Sequence, residues 1–188
     1  MRLQLNTNNI RPKKSLGQNF IQDKNFILKL DSLIPTDSQT NIFEIGPGMG
    51  ALTSQLIKKK FKKLYLIEKD FRLFRDIENK FKNEKNVIAI NDDALSYDYE
   101  NTNKKNKSII IGNLPYNIST QLLIKWIINY NWPPFYLKMF LMFQKEVAER
   151  IMATPNQKSY SRISVITQAR CNVKKILYAS ANIFYPKP

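Results

Sequence analysis

The sequence predicts a doubly wound α/β domain with a mainly parallel, seven-stranded sheet that ends in an antiparallel edge hairpin. Three observations lead to this fold class. Short apolar runs alternate with segments of helical periodicity, a glycine-rich turn follows the first of these runs, and polar residues end later runs. Apolar residues make up 43% of the 188 residues and charged residues 24%, as in globular proteins, so one domain with a full core is expected.

The predicted elements follow one another along the chain. Asp23 is a typical N-cap, and apolar residues at helical spacing follow it until Pro35 ends the helix. Further helices are predicted at residues 51–60, after Asp70, at 120–129 and at 144–153. Strands are predicted at residues 41–45, 64–67, 87–90, 108–111, 137–143, 162–170 and 175–181, of which the last two form the hairpin.

The composition excludes several kinds of chemistry. The chain contains no histidine, which rules out a His-dependent triad, a His-ligated metal site and imidazole base catalysis, and no metal is expected. Its single cysteine, Cys171, rules out an internal disulfide framework and suits a reducing compartment, so a cytoplasmic location is expected. No apolar run approaches the roughly 18 residues of a membrane span, and residues 1–14 lack the apolar core of a signal peptide.

The charge of the chain points to an anionic partner. There are 30 Lys and Arg residues against 15 Asp and Glu residues, and residues 101–188 contain 13 basic residues but only Glu146 and Glu149 as acids. A field of this sign attracts a polyanion, of which nucleic acid is the commonest. The alternative is a lysine-rich composition without a role in binding.

A glycine-rich turn follows the strand predicted at residues 41–45. Gly46, Gly48 and Gly50 allow a sharp backbone turn and close approach to a ligand. Their G-x-G-x-G spacing differs from the dinucleotide pattern G-x-G-x-x-G, and no P-loop lysine–serine pair follows. With acidic Glu44 just before it, the turn fits S-adenosylmethionine (SAM), while a purely structural tight turn is the alternative.

Two acidic residues end the next two predicted strands. Glu68 stands where α/β folds place a carboxylate that accepts hydrogen bonds from ribose hydroxyls. Asp93 ends the third strand and is predicted to accept from the adenine amino group, with Asp92 as an alternative for this role. Each acid alone is also compatible with a solvated loop or a helix N-cap, but the order of the three features favours a cofactor site.

The segment Asn113-Leu114-Pro115-Tyr116 directly follows the strand predicted at residues 108–111. The exocyclic amine of a nucleobase is a poor nucleophile because its lone pair is delocalised into the ring. An asparagine oxygen and a backbone carbonyl that both accept from this amine favour a pyramidal nitrogen, so positioning replaces a general base. Tyr116 offers a ring on which an extruded base stacks, and Pro115 fixes the turn. An ordinary strand-ending turn is the alternative.

With these motifs in family order, the chain resembles the rRNA adenine N6,N6-dimethyltransferases. The matching segments span nearly the whole sequence. They are KKSLGQNFIQD (13–23), EIGPGMGALT (44–53), IEKD (67–70), DAL (93–95), GNLPYNIST (112–120), QKEVAERI (144–151), YSRISV (160–165) and NIFYPKP (182–188).

The resemblance implies a Rossmann-like, class I SAM-dependent methyltransferase that modifies two adjacent adenosines near the 3′ end of small-subunit rRNA during ribosome biogenesis. It implies a pre-30S-type ribosomal subunit as partner and a chain that works as a monomer without a membrane. The cofactor residues implied by the match are Asn19, Ile21, Gly46, Gly48, Glu68, Asp93 and Asn113. Phe184 matches the second aromatic beside the target base, next to the catalytic segment Asn113, Leu114, Pro115 and Tyr116.

The resemblance also implies a domain organisation. Residues 1–22 form a basic arm that closes over the cofactor, and residues 23–188 form the catalytic domain. The small helical domain that follows in the family is expected to be absent here. Ser161 replaces a residue that is commonly glycine, and Ser180 and Ala181 replace a proline pair, which affects the loop that holds Phe184.

Three other functions compete with this one. The first is a methyltransferase of the related type that modifies one adenine of large-subunit rRNA, against which GNLPYNIST and QKEVAERI favour the small-subunit branch. The second is a small-molecule methyltransferase, which the net charge of +15 opposes. The third is a non-catalytic RNA-binding assembly factor or transcription factor, which the presence of Glu68, Asp93 and Asn113 opposes.

Overall fold

A computed structural model describes residues 11–102, 108–128 and 133–188. Residues 1–10 of the predicted arm and residue 129 of a predicted helix lie outside the described residues. The elements in chain order are β1 (Phe20–Ile21), α1 (Lys24–Ser32), β2 (Asn41–Ile45), α2 (Thr53–Leu56), β3 (Lys63–Glu68), α3 (Phe71–Phe81), β4 (Val87–Asn91), α4 (Tyr99–Thr102), β5 (Ser108–Asn113), α5 (Ser119–Ile128), β6 (Lys138–Met142), α6 (Lys145–Met152), α7 (Arg162–Arg170) and β7 (Phe184–Tyr185).

The central sheet is parallel and has the order β4-β3-β2-β5-β6 in the described part of the chain. Successive side chains of its strands alternate between two apolar layers. In β2, Ile42 packs with Ile27 and Leu56 on one face, whereas Phe43 packs with Trp126 on the other. Helices therefore cover both faces, which confirms the predicted doubly wound class.

The parallel order brings the carboxyl ends of the strands to one rim. In the ladder, Ile45 at the end of β2 stands opposite Ile67 in β3 and Gly112 in β5. The turns that follow β2, β3, β4 and β5 therefore meet at this rim, which is where open α/β sheets bind their ligands.

The predicted antiparallel hairpin at residues 162–181 is wrong. Residues 162–170 form α7, and residues 171–180 contain no regular secondary structure. A helix places Ile163 and Ile166 together against Ile151, and the Ser161 backbone N–H donates to Ser164 Oγ at 3.0 Å to start the first turn. Among the described residues the sheet consequently has five strands rather than seven.

The structure has its antiparallel strand pair between the two ends of the described chain instead of at residues 162–181. β1 and β7 form a two-stranded ladder in which Phe20 faces Tyr185 and Ile21 faces Phe184. This ladder joins the N-terminal arm to the last residues of the chain. The sequence pattern did not predict it because each strand is only two residues long.

The helix predicted at residues 51–60 is shorter than expected. Only Thr53–Leu56 is α-helical, and the following amides of Lys58 and Lys59 bond three residues back, as in a 3-10 turn. Lys59 Nζ then donates to the Ile34 carbonyl oxygen at 2.7 Å, which ties this turn to the end of α1.

Over the described residues, none of the helices combines the length and the apolar character that crossing a membrane requires. In the same part of the chain, no three histidine, cysteine, aspartate or glutamate side chains group as metal ligands would.

Candidate active site

A pocket at the carboxyl rim brings together most of the predicted site. The arm, the glycine-rich turn and the ends of β3, β4 and β5 surround it. The predicted residues that line it are Asn19, Ile21, Gly46, Gly48, Glu68, Asp93, Asn113 and Pro115. Three predicted residues, Leu114, Tyr116 and Phe184, do not line it.

The backbone of the turn after β2 requires glycine. Gly46, Gly48 and Gly50 have φ angles of 62°, 58° and 71°, in the left-handed region. A Cβ at Gly48 would lie 3.0 Å from the Phe20 ring, whereas one at Gly46 would meet only Pro115, at 4.0 Å. The turn is therefore packed under the arm at Gly48 and leaves room for a ligand at Gly46.

Glu68 ties the end of β3 to this turn. Its Oε2 accepts from the Gly48 N–H at 3.2 Å, and its Oε1 accepts from the Asp70 N–H at 2.9 Å. The carboxyl is buried, and burial raises its pKa. Both oxygens keep lone pairs for further donors, so the carboxylate can accept from hydroxyl groups of a ligand.

Asp93 and Asp92 both line the pocket, and their surroundings differ. Asp93 pairs with Lys69 Nζ at 2.6 Å and accepts from the Leu95 N–H at 2.9 Å, whereas Asp92 is exposed and accepts from the Asp93 N–H at 2.7 Å. Burial of Asp93 is the largest single influence and opposes ionisation, but the hydrogen bonds from Lys69 and the Leu95 N–H, together with the charges of Lys69 and Lys125, outweigh it and lower the pKa. The choice of Asp93 over Asp92 stays a prediction.

The orientation of the Asn113 amide is set by the arm. Asn113 Nδ2 donates to the Asn19 carbonyl oxygen at 2.7 Å, across 94 residues of sequence. Because this contact assigns the amide nitrogen to the arm side, Oδ1 is the atom left to accept from a substrate amine. Asn19 and Asn113, predicted together only by resemblance, are thus in direct contact.

The other residues of the Asn113–Tyr116 segment have different surroundings. Leu114 is buried in the layer that contains Phe43 and Trp126, so it anchors the segment to the core. Tyr116 is half-buried, and burial raises the pKa of its phenol. A Cβ on Gly17 would lie 3.2 Å from the Tyr116 backbone nitrogen, so the arm rests directly on this segment.

Phe184, like Leu114, is a predicted site residue that the structure places in the core. Its side chain is 7% exposed and packs in the layer that contains Ile27 and Leu30. The 3-10 turn Ala181–Ile183 precedes it, and Ser180 caps this turn by accepting from the Asn182 N–H. Its predicted stacking on a base stays a prediction, and its packing role is what the structure describes.

Sequence reasoning assigned no role to three residues that the structure places at the site. Glu44 lines the pocket, is 3% exposed, and accepts from Thr53 Oγ1 at 2.7 Å. Burial raises its pKa to about 7. Gln18 and Asn117 also line the pocket. The acid directly before the glycine turn was a usable signal for Glu44, whereas Gln18 and Asn117 carried none beyond their place in matched motifs.

The pocket fits SAM by the chemistry of its hydrogen-bond acceptors and apolar walls. Carboxylates at the ends of β3 and β4 can accept from hydroxyl and amino groups, and the glycine turn leaves backbone space at Gly46. Apolar side chains such as Ile21, Pro47 and Ala94 supply walls for a purine ring.

Comparisons with known proteins identify the relatives of this chain. A family model described as "Ribosomal RNA adenine dimethylase" matches residues 9–188. The chain is similar to the "Ribosomal RNA small subunit methyltransferase A" of Pelagibacter ubique, with 44% identity over 179 residues, and to that of Ehrlichia ruminantium, with 43% over 182 residues. Each match covers 95% of this chain and 67% of the relative.

Solved structures share the fold. A dimethyladenosine transferase from Plasmodium falciparum superimposes with a TM-score of 0.76 at 28% identity, over 90% of this chain and 59% of its own. The 23S rRNA methyltransferase ErmE has a TM-score of 0.71 at 22% identity, over 90% of this chain and 65% of its own, a likeness of fold alone. The predicted Rossmann-like methyltransferase fold is thereby confirmed, and the chain belongs to the ribosomal RNA adenine dimethylase family.

Proposed function

We propose that this chain transfers methyl groups from SAM to the N6 amines of two adjacent adenosines near the 3′ end of small-subunit rRNA. The observation that carries the proposal is the Asn113 amide, held by Asn19 beside the glycine turn and Glu68 in one pocket. The identity of 44% over 95% of the chain to a relative named a small-subunit rRNA methyltransferase supports the small-subunit substrate.

The cofactor residues have distinct roles in this proposal. Glu68 accepts from the ribose hydroxyls, Asp93 accepts from the adenine amino group, Gly46 admits the ligand close to the backbone, and Gly48 lines the same pocket under Phe20. Asn19 and Ile21 contribute from the arm. Bound there, SAM would supply a methyl group on a positively charged sulfur, which would leave with the electron pair of the C–S bond while the amine nitrogen takes the methyl group and releases a proton.

Asn113 orients the nucleophile. Its Oδ1 and a backbone carbonyl accept from the two N–H bonds of the adenine amine, which directs the nitrogen lone pair out of the ring plane. Because the chain has no histidine, the step depends on positioning and electrostatics rather than on an imidazole base. Pro115 and buried Leu114 hold the segment rigid, and Tyr116 stacks on the extruded base.

We propose the same division of the chain as the motifs predict, with residues 1–22 as an arm over the cofactor and residues 23–188 as the catalytic domain. The described part of the arm supports its role as a cover over the cofactor, because Gly17 packs against the Tyr116 segment and Phe20 packs against Gly48.

The partner in this proposal is rRNA within an assembling, pre-30S-type small subunit, which the chain modifies as a cytoplasmic monomer. Basic residues of the arm, among them Arg11, Lys13 and Lys14, are exposed or partly exposed and available to RNA phosphates. RNA affinity is therefore expected to fall steeply with salt, because each phosphate contact releases counterions.

Mapping of radiolabelled methyl groups tests the proposal. Small subunits that lack the modification, naked rRNA, large subunits and DNA are each incubated with the protein and labelled SAM. Label in two adjacent adenosines of small-subunit rRNA is expected, with a loss of about 100-fold in Asn113→Ala and none in the surface control Asn79→Ala. Label confined to large-subunit rRNA or DNA would contradict the substrate, and SAM binding without transfer to any acceptor would favour a non-catalytic factor.

A further inference from the structure

Asp70 is a buried acidic residue to which the proposed reaction assigns no role. Its side chain is 1% exposed, and it caps α3 by accepting from the Arg72 N–H at 3.1 Å. The Arg72 side chain wraps the same carboxylate, with Nε at 3.0 Å from Oδ1 and Nη2 at 2.6 Å from Oδ2. A helix cap alone requires only one of these contacts.

The N-terminal arm supplies the other partners of this carboxylate. Gln18 Nε2 donates to Asp70 Oδ2 at 3.1 Å, and Lys13 Nζ lies 3.6 Å from Oδ1. Gln18 also closes its own turn, because its Oε1 accepts from the Lys13 N–H at 2.7 Å. Arg72 Nη2 reaches the Arg11 carbonyl oxygen at 3.4 Å. The arm is thus tied to the start of α3 around one carboxylate.

This attachment continues directly into the site. Gln18 precedes Asn19, whose carbonyl oxygen accepts from Asn113 Nδ2 at 2.7 Å. On the other side, the Asp70 N–H donates to Glu68 Oε1 at 2.9 Å. Asp70 therefore stands between the residue proposed to hold ribose and the arm residue that orients the Asn113 amide.

We propose that Asp70 is a positioning residue. Its hydrogen bond with Gln18, called the latch below, fixes the arm and so holds Asn19 where it orients Asn113. This inference rests on the proposed function for its catalytic consequence, but the latch itself is a property of the protein without cofactor.

The charge of Asp70 suits this role. The hydrogen bonds from the Arg72 side chain hold the pKa of the carboxyl well below its ordinary value, so it stays ionised at neutral pH. Hydrogen bonds to an ionised acceptor are stronger than neutral ones, and this acceptor lies out of water.

Asp70→Asn separates the latch from the helix cap. The single oxygen of asparagine can still accept from the Arg72 N–H, and asparagine is a good N-cap. Its amide nitrogen then replaces Oδ2 and faces both Gln18 Nε2 and Arg72 Nη2, which places donors opposite each other. Gln18→Ala removes the arm partner instead. Asp76→Asn, at an exposed carboxylate of the same helix, is the matched control for loss of charge.

Hydrogen–deuterium exchange of a peptide that spans residues 13–20 measures the latch in the protein without SAM. We expect exchange at least tenfold faster in Asp70→Asn and in Gln18→Ala than in the unaltered protein or in Asp76→Asn. The effects of the two substitutions should be clearly less than additive in the double variant, because both remove the Gln18–Asp70 hydrogen bond. Unchanged exchange in both variants, or additive effects, would overturn the latch.

The catalytic consequence is tested by methyl transfer at saturating SAM. Asp70→Asn and Gln18→Ala should lose about tenfold in transfer rate, and Asp76→Asn should retain it. Faster exchange with a full transfer rate would show that the latch does not position Asn113. If the unaltered protein binds no SAM, the proposed function fails, and the exchange experiment still decides whether the latch exists.

Discussion

Replacing Glu68 by glutamine tests the cofactor site most directly. The carboxylate accepts from two backbone N–H groups, of Gly48 at 3.2 Å and of Asp70 at 2.9 Å, and in our proposal from the ribose hydroxyls as well. Glutamine has the same shape as glutamate but only one acceptor oxygen. Its NH₂ group therefore faces the N–H of Gly48 or of Asp70, and that N–H loses its acceptor. We expect a stability loss of about 1–3 kcal/mol from the unpaired N–H. The loss of a charged acceptor should weaken SAM binding by about 1.5–3 kcal/mol, which is roughly 10- to 150-fold.

Isothermal titration calorimetry at pH 8 measures the affinity for SAM, and urea unfolding measures the stability of the same samples. Glu78→Gln is the matched control, because Glu78 is a partly exposed residue of α3 that pairs with Arg75 at 2.9 Å. It should change SAM affinity less than twofold. A Glu68→Gln variant that binds SAM as tightly as the unaltered protein would refute the assignment of Glu68 to the ribose.

Substitutions at Tyr116, Phe184 and Glu44 separate the roles of these three residues. Tyr116→Ala should keep SAM affinity and lose about 10- to 100-fold in methyl transfer, because base stacking contributes roughly 1–3 kcal/mol, whereas Tyr116→Phe should be mild. Equal damage by both would point to the hydroxyl instead. Phe184→Ala should lower the free energy of unfolding by about 3–5 kcal/mol, since the ring is 7% exposed, whereas Tyr185→Ala, at 54% exposure, should change it little. A stable Phe184→Ala would contradict the packing. Because burial raises the pKa of Glu44 from 4.5 to about 7, the native state holds a proton that the unfolded chain releases, so stability should fall as pH rises through this range. Glu44→Gln should remove about 3 kcal/mol of the fall between pH 4 and pH 8 in urea unfolding, and an unchanged pH dependence would exclude Glu44 as its source.

Several features were predictable because they depend on local sequence alone. The strands that became β2, β3 and β5 are short, mainly apolar runs, as is typical of strands buried on both faces, and β4 is a similar run at the edge of the sheet. The left-handed backbone conformations after β2 favour glycine, so the spacing of Gly46, Gly48 and Gly50 predicted the turn. In a parallel sheet, residues at the carboxyl ends of strands share one rim, which brought Glu68, Asp93 and Asn113 together.

Residues 162–170 show why local pattern was insufficient elsewhere. Ile163, Val165 and Thr167 alternate as in a strand, while Ile163 and Ile166 share a helical face. The structure selects the helix, since Ile163 and Ile166 pack against Ile151 while Val165 remains 50% exposed. A short segment compatible with both periods is decided by the surface on which it packs.

Residue type and spacing were sufficient to predict the fold class, the glycine turn and the acids and amide at the strand ends. The contacts between distant segments became visible only in the folded chain. These contacts join the N-terminal arm to later parts of the chain. Asn19 accepts a hydrogen bond from Asn113, and both Gln18 and Lys13 contact Asp70. Phe184 is buried opposite Ile21. The physical reason is that a hydrogen bond or a packed ring depends on where the folded backbone brings two segments, and no local propensity encodes that distance.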